Sequence, residues 1–581
     1  MPTSLVADPN LDTAASRKRF PVSGEQVLLA GLCIYVLVLT ILPLGRLLVE
    51  GLQPGDEGEA LGVLLDTWTG RAVGRALPNT IVAGLASTLV SVVIGAVLAF
   101  VLRLTDLWGK SALIFLAMLP MLIPPQISAL AWIELSGPSS PILRALALAP
   151  PPGTTNPLYS LGGIIFVMGI EHSPLVFLAV AAALGSVSND LVEAARVSGI
   201  RPGRIVGAII VPAVAPALTA GAALAFVSAI GNFGVPALLG IPGRVTLLTT
   251  LIYQRLNGFG PSVLGQVAAI AFILIGLAIV GLAVRAFLVR QVPTLDRTGE
   301  PIRPFALGRW RLPATLVVWL VMLVLSILPL IALVAGALVP AIGVRLSLET
   351  LSLENFQFVL FGSDAIRRAF ANSMALAGLS ALICAAAAVP LSYFAIVRNH
   401  PLAKALDMAA EAPYAVPGTV VALGIIIVFL PPIPLLGFSI YGSFLILLVA
   451  YLARFLLLAL RPVSAAFATM DPALDEAARV SGIRSLRRLA FIAAPIALPS
   501  AIAGAMLIFM AAFNELTLSA LLWSTGVETL GVVVFFLQYE GNSPAAAALA
   551  SVVVAVTLLL AAIVDLAGRR LAPGAVPWDV R

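Results

Sequence analysis

Charge is scarce in this chain: only 11% of its 581 residues are Asp, Glu, Lys or Arg, against about 25% in a soluble domain. Cysteine is nearly absent. Cys33 and Cys384 both lie in apolar stretches, which excludes a disulfide framework and a thiolate metal site. The two histidines, His172 and His400, have no Cys or carboxylate at ligand spacing, so no metal site is expected within the chain. Nucleotide-binding motifs are missing too. Gly109-Lys110-Ser111 would need a glycine where Leu104 stands to make a phosphate-binding loop, and it follows an apolar run instead of a strand. The chain is therefore expected to be no enzyme and to carry no cofactor. The net charge of +6 requires no nucleic acid, because Arg and Lys hold membrane loops on the cytoplasmic side.

What the chain has is length in apolar runs. It is 60% hydrophobic with a mean hydropathy of +1.07, and a membrane helix needs about 20 apolar residues. Twelve spans are predicted, centred in 26–48, 79–102, 112–134, 161–184, 212–238 and 264–288, then 313–338, 372–396, 409–430, 441–462, 496–523 and 546–567. Runs of that length are too long for barrel strands. The fold class is an all-α polytopic membrane protein contacting lipid, with about twelve helices in two parallel six-helix repeats. The expected division is a tail at 1–25, a first membrane domain at 26–288, a linker at 289–312, a second membrane domain at 313–568 and a tail at 569–581. Arg17, Lys18 and Arg19 precede the first apolar run, which lacks a small-residue cleavage site and reads as an uncleaved span. The termini and even-numbered connections hold 23 of the 34 Lys and Arg, whereas the first odd connection holds Asp56, Glu57 and Glu59. Both termini are thus expected to be cytoplasmic.

The repeat is explicit in the residues. LTILPL (39–44) matches LSILPL (325–330), and Pro120 and Pro124 match Pro413 and Pro417. Two polar islands match most closely: DLVEAARVSGIRPGRIVGAIIVP (190–212) and ALDEAARVSGIRSLRRLAFIAAP (473–495), at a constant offset of 283 (476 − 193, 482 − 199, 495 − 212). Each predicts a capped helix, with Glu and Arg three residues apart able to pair, a glycine C-terminal cap at Gly199 or Gly482, a short basic helix, and a proline opening the next span. An ordinary helix–turn–helix connection would account for one copy. Two copies on the cytoplasmic side, before the same span of each repeat, point to paired docking sites.

The islands resemble the EAA loop of permease subunits of binding-protein-dependent ABC importers. The matching residues are Glu193, Ala194, Ala195, Gly199 and Pro212, and Glu476, Ala477, Ala478, Gly482 and Pro495. The usual Leu before the last Pro is replaced by Val211 and Ala494. The resemblance implies a coupling helix seated in a groove of a cytoplasmic ATPase. It therefore implies two ATPase subunits, an extracytoplasmic solute-binding protein and a bacterial inner membrane. The fused layout is similar to ferric-iron uptake permeases, which implies iron as cargo; thiamine, polyamine, phosphonate and sulfate permeases share much of the pattern. An ion-coupled secondary carrier also has parallel repeats, but it needs no ATPase dock.

Candidate pathway residues are of three kinds. Pro124 and Pro417 fall inside spans three and nine, and fit either a packing kink or a break whose freed carbonyls serve a cavity. Glu171 and Arg454 occupy equivalent intramembrane positions, either snorkelling or meeting at the central axis. Asn232, Asn514 and Glu515 lie about 20 residues past each island's proline, roughly 30 Å along a helix, where they would line an outer gate or mark an interface.

Overall fold

The computed structural model describes residues 24–54, 58–290, 302–433 and 437–571. The basic N-terminal tail, Asp56, Glu57, residues 291–301 of the linker and most of the C-terminal tail lie outside the described residues. Among those described there is no β-strand, only an isolated bridge between Thr105 and Phe305.

In the first half, α1 (Gly24–Gly51), α2 (Arg71–Leu104), α3 (Lys110–Leu122), α4 (Pro125–Ser136) and α5 (Leu161–Leu184) lead to the first polar island, α6 (Asn189–Val197). Then come α7 (Pro202–Gly231), α8 (Leu248–Phe259) and α9 (Leu264–Arg290). The second half repeats the order. It has α10 (Gly308–Ala337), α11 (Asp364–Val397), α12 (Pro401–Ala415), α13 (Gly418–Phe429), α14 (Phe444–Ala468) and the second island, α15 (Pro472–Val480). It ends with α16 (Ser485–Phe513), α17 (Leu530–Tyr539) and α18 (Ser543–Leu571). Among the described residues, ten helices are long and apolar enough to cross a membrane, or up to twelve if each bent pair counts as one span.

Spans three and nine are not straight. The chain turns by 106° between α3 and α4 and by 111° between α12 and α13. Pro124 and Pro417 stand at the corners, as the residues before the first turns of α4 and α13. Proline has no N–H and clashes with the preceding turn, and here two breaks result, not kinks.

Other prolines are absorbed without a break. π-Helical turns at Leu37–Ile41, Val206–Ile210, Leu323–Ile327 and Leu489–Ala493 each end two residues before a proline: Pro43, Pro212, Pro329 and Pro495. The wider turn makes room for the ring and the missing donor. This corrects the expectation that Pro212 and Pro495 open spans five and eleven. The short basic helix and the span are one continuous helix from Pro202 or Ser485. Those spans consequently end at Gly231 and Phe513, earlier than expected, and α8 and α17 were not foreseen.

The halves interlock. α1 packs on α13 of the other half and α10 packs on α4. Tyr35 of α1 donates to Leu452 O at 2.8 Å, and Ser326 of α10 donates to Leu116 O at 3.1 Å. The residues ahead of α10 cross in the same sense: Phe305 N donates to Leu104 O, and Leu307 N to the Asp106 carboxylate. This part of the linker is docked on the first half.

Within each half, one close crossing recurs at the repeat offset. A Cβ on Gly221 would stand 3.0 Å from Val176 Cα, and one on Gly504 would stand 2.7 Å from Ala459 Cα. Small residues let membrane helices pack backbone to backbone. Gly221→Leu or Gly504→Leu should overpack this contact, at a cost of about 1–3 kcal/mol, and lower the melting temperature of the detergent-solubilised chain. Gly207→Leu, with nothing within 4 Å of its Cβ, should leave it unchanged.

Candidate functional site

The two polar helices share one geometry. The Ser188 side chain accepts from Asp190 N at 3.1 Å, and that of Asp471 from Ala473 N at 2.9 Å, as N-caps. At the other end Gly199 N donates to Arg196 O and Ile200 N to Ala195 O, while Gly482 N donates to Arg479 O and Ile483 N to Ala478 O. These are the two bonds of a Schellman cap. They place Gly199 at φ +77° and Gly482 at φ +76°, where a side chain is strained.

The faces of these helices differ from expectation. Ala195 and Ala478 are buried against the membrane domain, and Glu193, Ala194, Glu476 and Ala477 are exposed. The anticipated Glu–Arg pairs along each helix do not form. Glu193 accepts from Asn189 Nδ2 at 2.7 Å, and the Arg196 guanidinium lies 4.5 Å from the centre of the Phe305 ring. Each helix instead presents an exposed apolar pair outward. Leu191 and Val197 are 46% and 90% exposed, and their counterparts Leu474 and Val480 are 48% and 85% exposed.

The undersides have diverged. Val192 and Ile205 are fully buried in one apolar cluster. At the equivalent positions of the second half, the Asp475 carboxylate accepts from Arg488 Nη1 at 2.8 Å and from Tyr393 Oη at 2.8 Å. Arg488 is 3% exposed. Reading Asp475 and Arg488 against Val192 and Ile205 at the 283 offset could have found this pair.

Four of the pathway candidates, Glu171, Asn232, Pro417 and Arg454, line one cavity of about 330 Å³ between the halves. Both breaks line it: Pro120 and Pro125 from one half, Tyr414, Val416 and Pro417 from the other. Pro124 sits at its corner without lining it. Glu171 and Arg454 share this space, and no ion pair joins them here. Glu171 accepts from Asn232 Nδ2 with both oxygens at 3.0 Å, and His172 Nε2 lies 3.6 Å from Glu171 Oε1. Arg454 Nη1 donates to Pro413 O at 3.0 Å and Val416 O at 2.9 Å, carbonyls that the break at Pro417 leaves without helical partners.

Asn232 is not at an outer edge, since it is bonded to Glu171 in the middle of α5. Its Oδ1 accepts from Val235 N at 3.1 Å; Glu515, its counterpart, accepts from Leu518 N at 2.7 Å. Asn514 turns its side chain away, toward Thr557 Oγ1 at 2.9 Å, while its carbonyl accepts across the halves from Gln126 Nε2 at 3.0 Å. Neither Asn514 nor Glu515 lines the cavity. Behind Phe233, a cavity-wall residue, an aromatic cluster spans both halves, with ring centres 5.2 Å apart for Phe233–Tyr253, 5.8 Å for Tyr253–Phe535 and 6.2 Å for Phe233–Phe535. Sequence reading had no signal for this cluster, because its members are far apart in the chain. Among the described residues no three His, Cys, Asp or Glu side chains gather as a resident metal would require.

Comparison with known proteins agrees with this layout. The chain is 27% identical over 514 residues to a probable ABC transporter permease of Sinorhizobium fredii, covering 87% of this chain and 89% of the relative. It is 24% identical to a putative ferric transport system permease of Haemophilus influenzae, covering 92% and 83%. A putative 2-aminoethylphosphonate transport system permease of Salmonella paratyphi A is 30% identical over 223 residues, 36% of this chain and 73% of the relative. The sequence profile of the binding-protein-dependent transport system inner membrane component matches residues 91–293 and again 388–575. With one match in each half, this multi-pass protein belongs to that family of inner-membrane ABC permeases.

Proposed function

We propose that the chain supplies both membrane domains, 26–288 and 313–568, of an ABC importer in a bacterial inner membrane, with ferric iron as its cargo. The observation that carries this reading is the pair of identically capped helices, α6 and α15, each offering an exposed Leu–Val pair on an otherwise polar surface. The same capped helix with the same exposed side chains, kept in both halves, is what a duplicated docking surface requires. Two cytoplasmic ATPase subunits dock there, one per half, through Glu193, Ala194 and Gly199 and through Glu476, Ala477 and Gly482. ATP is hydrolysed on those subunits. An extracytoplasmic solute-binding protein delivers cargo to the opposite face. The Phe233–Tyr253–Phe535 cluster then separates that face from the cavity, and movement of one half against the other opens it. Iron is favoured because the ferric relatives match over most of this chain's length, whereas the aminophosphonate relative matches about a third.

Two experiments test this reading. Valine at Gly199 and Gly482 together should break both left-handed caps. Cells carrying the double variant should lose at least about tenfold in iron uptake, and co-purification of the ATPase should fall, while the chain remains in the membrane. Wild-type uptake by that variant would refute the docking assignment. For topology, cysteines at Gly299 and Glu57 should label from opposite sides of the membrane. Modification of both by one impermeant maleimide in intact cells would overturn the cytoplasmic placement of the termini and islands.

A further inference from the structure

The cavity between the halves carries opposite charges that are not spent on each other. On one wall, both Glu171 oxygens share a single donor, Asn232 Nδ2, at 3.0 Å. A carboxylate has about four acceptor positions, so capacity remains. His172 Nε2 stands beside it, 3.6 Å from Oε1. On the other wall, Arg454 commits only Nη1 to the carbonyls of Pro413 and Val416. Its Nε and Nη2 donate to no group among the described residues. Ser228 and Thr517 add hydroxyls to the same lining.

This arrangement discriminates among solutes. A bare cation at Glu171 would meet the Arg454 charge and find too few ligands, since no three metal-binding side chains gather anywhere among the described residues. A simple anion at Arg454 would face the Glu171 carboxylate. A neutral solute would leave the open acceptor positions of Glu171 and the free Nε and Nη2 of Arg454 unmet, which is costly. A small solute that carries both signs satisfies both walls, and about 330 Å³ is the lower end of the size range of small-molecule sites.

We propose that the cavity takes its solute as a dipolar species, with the cationic end against Glu171 and His172 and an anionic oxygen against Arg454. The proposal rests on the permease reading above and deepens it. Two sources share this chemistry: a ferric ion that keeps an oxyanion ligand as it crosses, and an organic zwitterion such as an aminophosphonate.

The test reads occupancy directly on the purified full chain, without the ATPase. A single cysteine, Ser228→Cys, is placed on the exposed cavity wall of a chain carrying Cys33→Ser and Cys384→Ala. Its alkylation by N-ethylmaleimide is timed with four probes: gallium(III) citrate as a redox-inert stand-in for the ferric complex, 2-aminoethylphosphonate, inorganic phosphate and ethanolamine. At least one dipolar probe should slow labelling at a concentration at least about tenfold below either single-charge probe. Protection by gallium citrate alone assigns the ferric–oxyanion source, and protection by the aminophosphonate alone assigns the zwitterion. Adding Glu171→Gln should weaken the dipolar probe about tenfold or more and let phosphate protect, because the repelling carboxylate is gone while Arg454 stays. Equal protection by phosphate or ethanolamine in the Glu171 chain, protection by none of the four, or a Glu171→Gln profile identical to its parent would each overturn the proposal. Because no ATPase takes part, a negative result here leaves the coupling assignment standing. Failure of the Gly199 and Gly482 experiment likewise leaves occupancy measurable.

Discussion

The hydrocarbon interior of a membrane offers no water to a backbone carbonyl, so a helix can break there only where protein supplies the missing partner. The break at Pro417 meets that condition through Arg454, whose Nη1 takes the carbonyls of Pro413 and Val416. An intramembrane guanidinium, costing about 3 kcal/mol on insertion scales, is thereby fixed by the same carbonyls whose exposure it prevents. The crossing of α1 onto α13 and α10 onto α4 covers each broken helix with the other half, so neither break faces lipid along that side. The cavity exists because two helices stop short, and the interlocking of the halves makes stopping short tolerable.

Duplication preserved the backbone plan and released the side chains. Gly221 and Gly504 hold the same close crossing, and Gly199 and Gly482 the same cap. Under the caps, an apolar Val192 and Ile205 in one half answer to a buried Asp475–Arg488 pair in the other. Removing one member of such a pair costs more than replacing both with apolar groups of similar volume. Around the cavity the halves diverge in which positions carry charge. Glu171 with Asn232 in the first half corresponds to Arg454 with Glu515 in the second. A symmetric scaffold thus acquires a polar axis from one end of the cavity to the other, which no homodimer of a single half would have.

The division between what sequence determined and what the fold decided follows the range of the interactions. Span number, the repeat, the island helices and their caps were legible in the chain, because apolar run length, cap residues and glycine at a left-handed position act within a few residues of themselves. The same locality explains the misplaced starts of spans five and eleven. Pro212 and Pro495 read as helix openers, yet a π-helical turn just ahead of each let the helix run through, an accommodation the residue order does not reveal. The Glu193–Arg196 pairing failed because Asn189 and, from the linker, Phe305 compete for those side chains. Only tertiary structure decided that Glu171 and Arg454 share a cavity without touching, that Asn232 belongs beside Glu171, and that Phe233, Tyr253 and Phe535 form one cluster. Each of these depends on which helices the crossing of the two halves brings together, and that is set by packing between residues far apart in the chain.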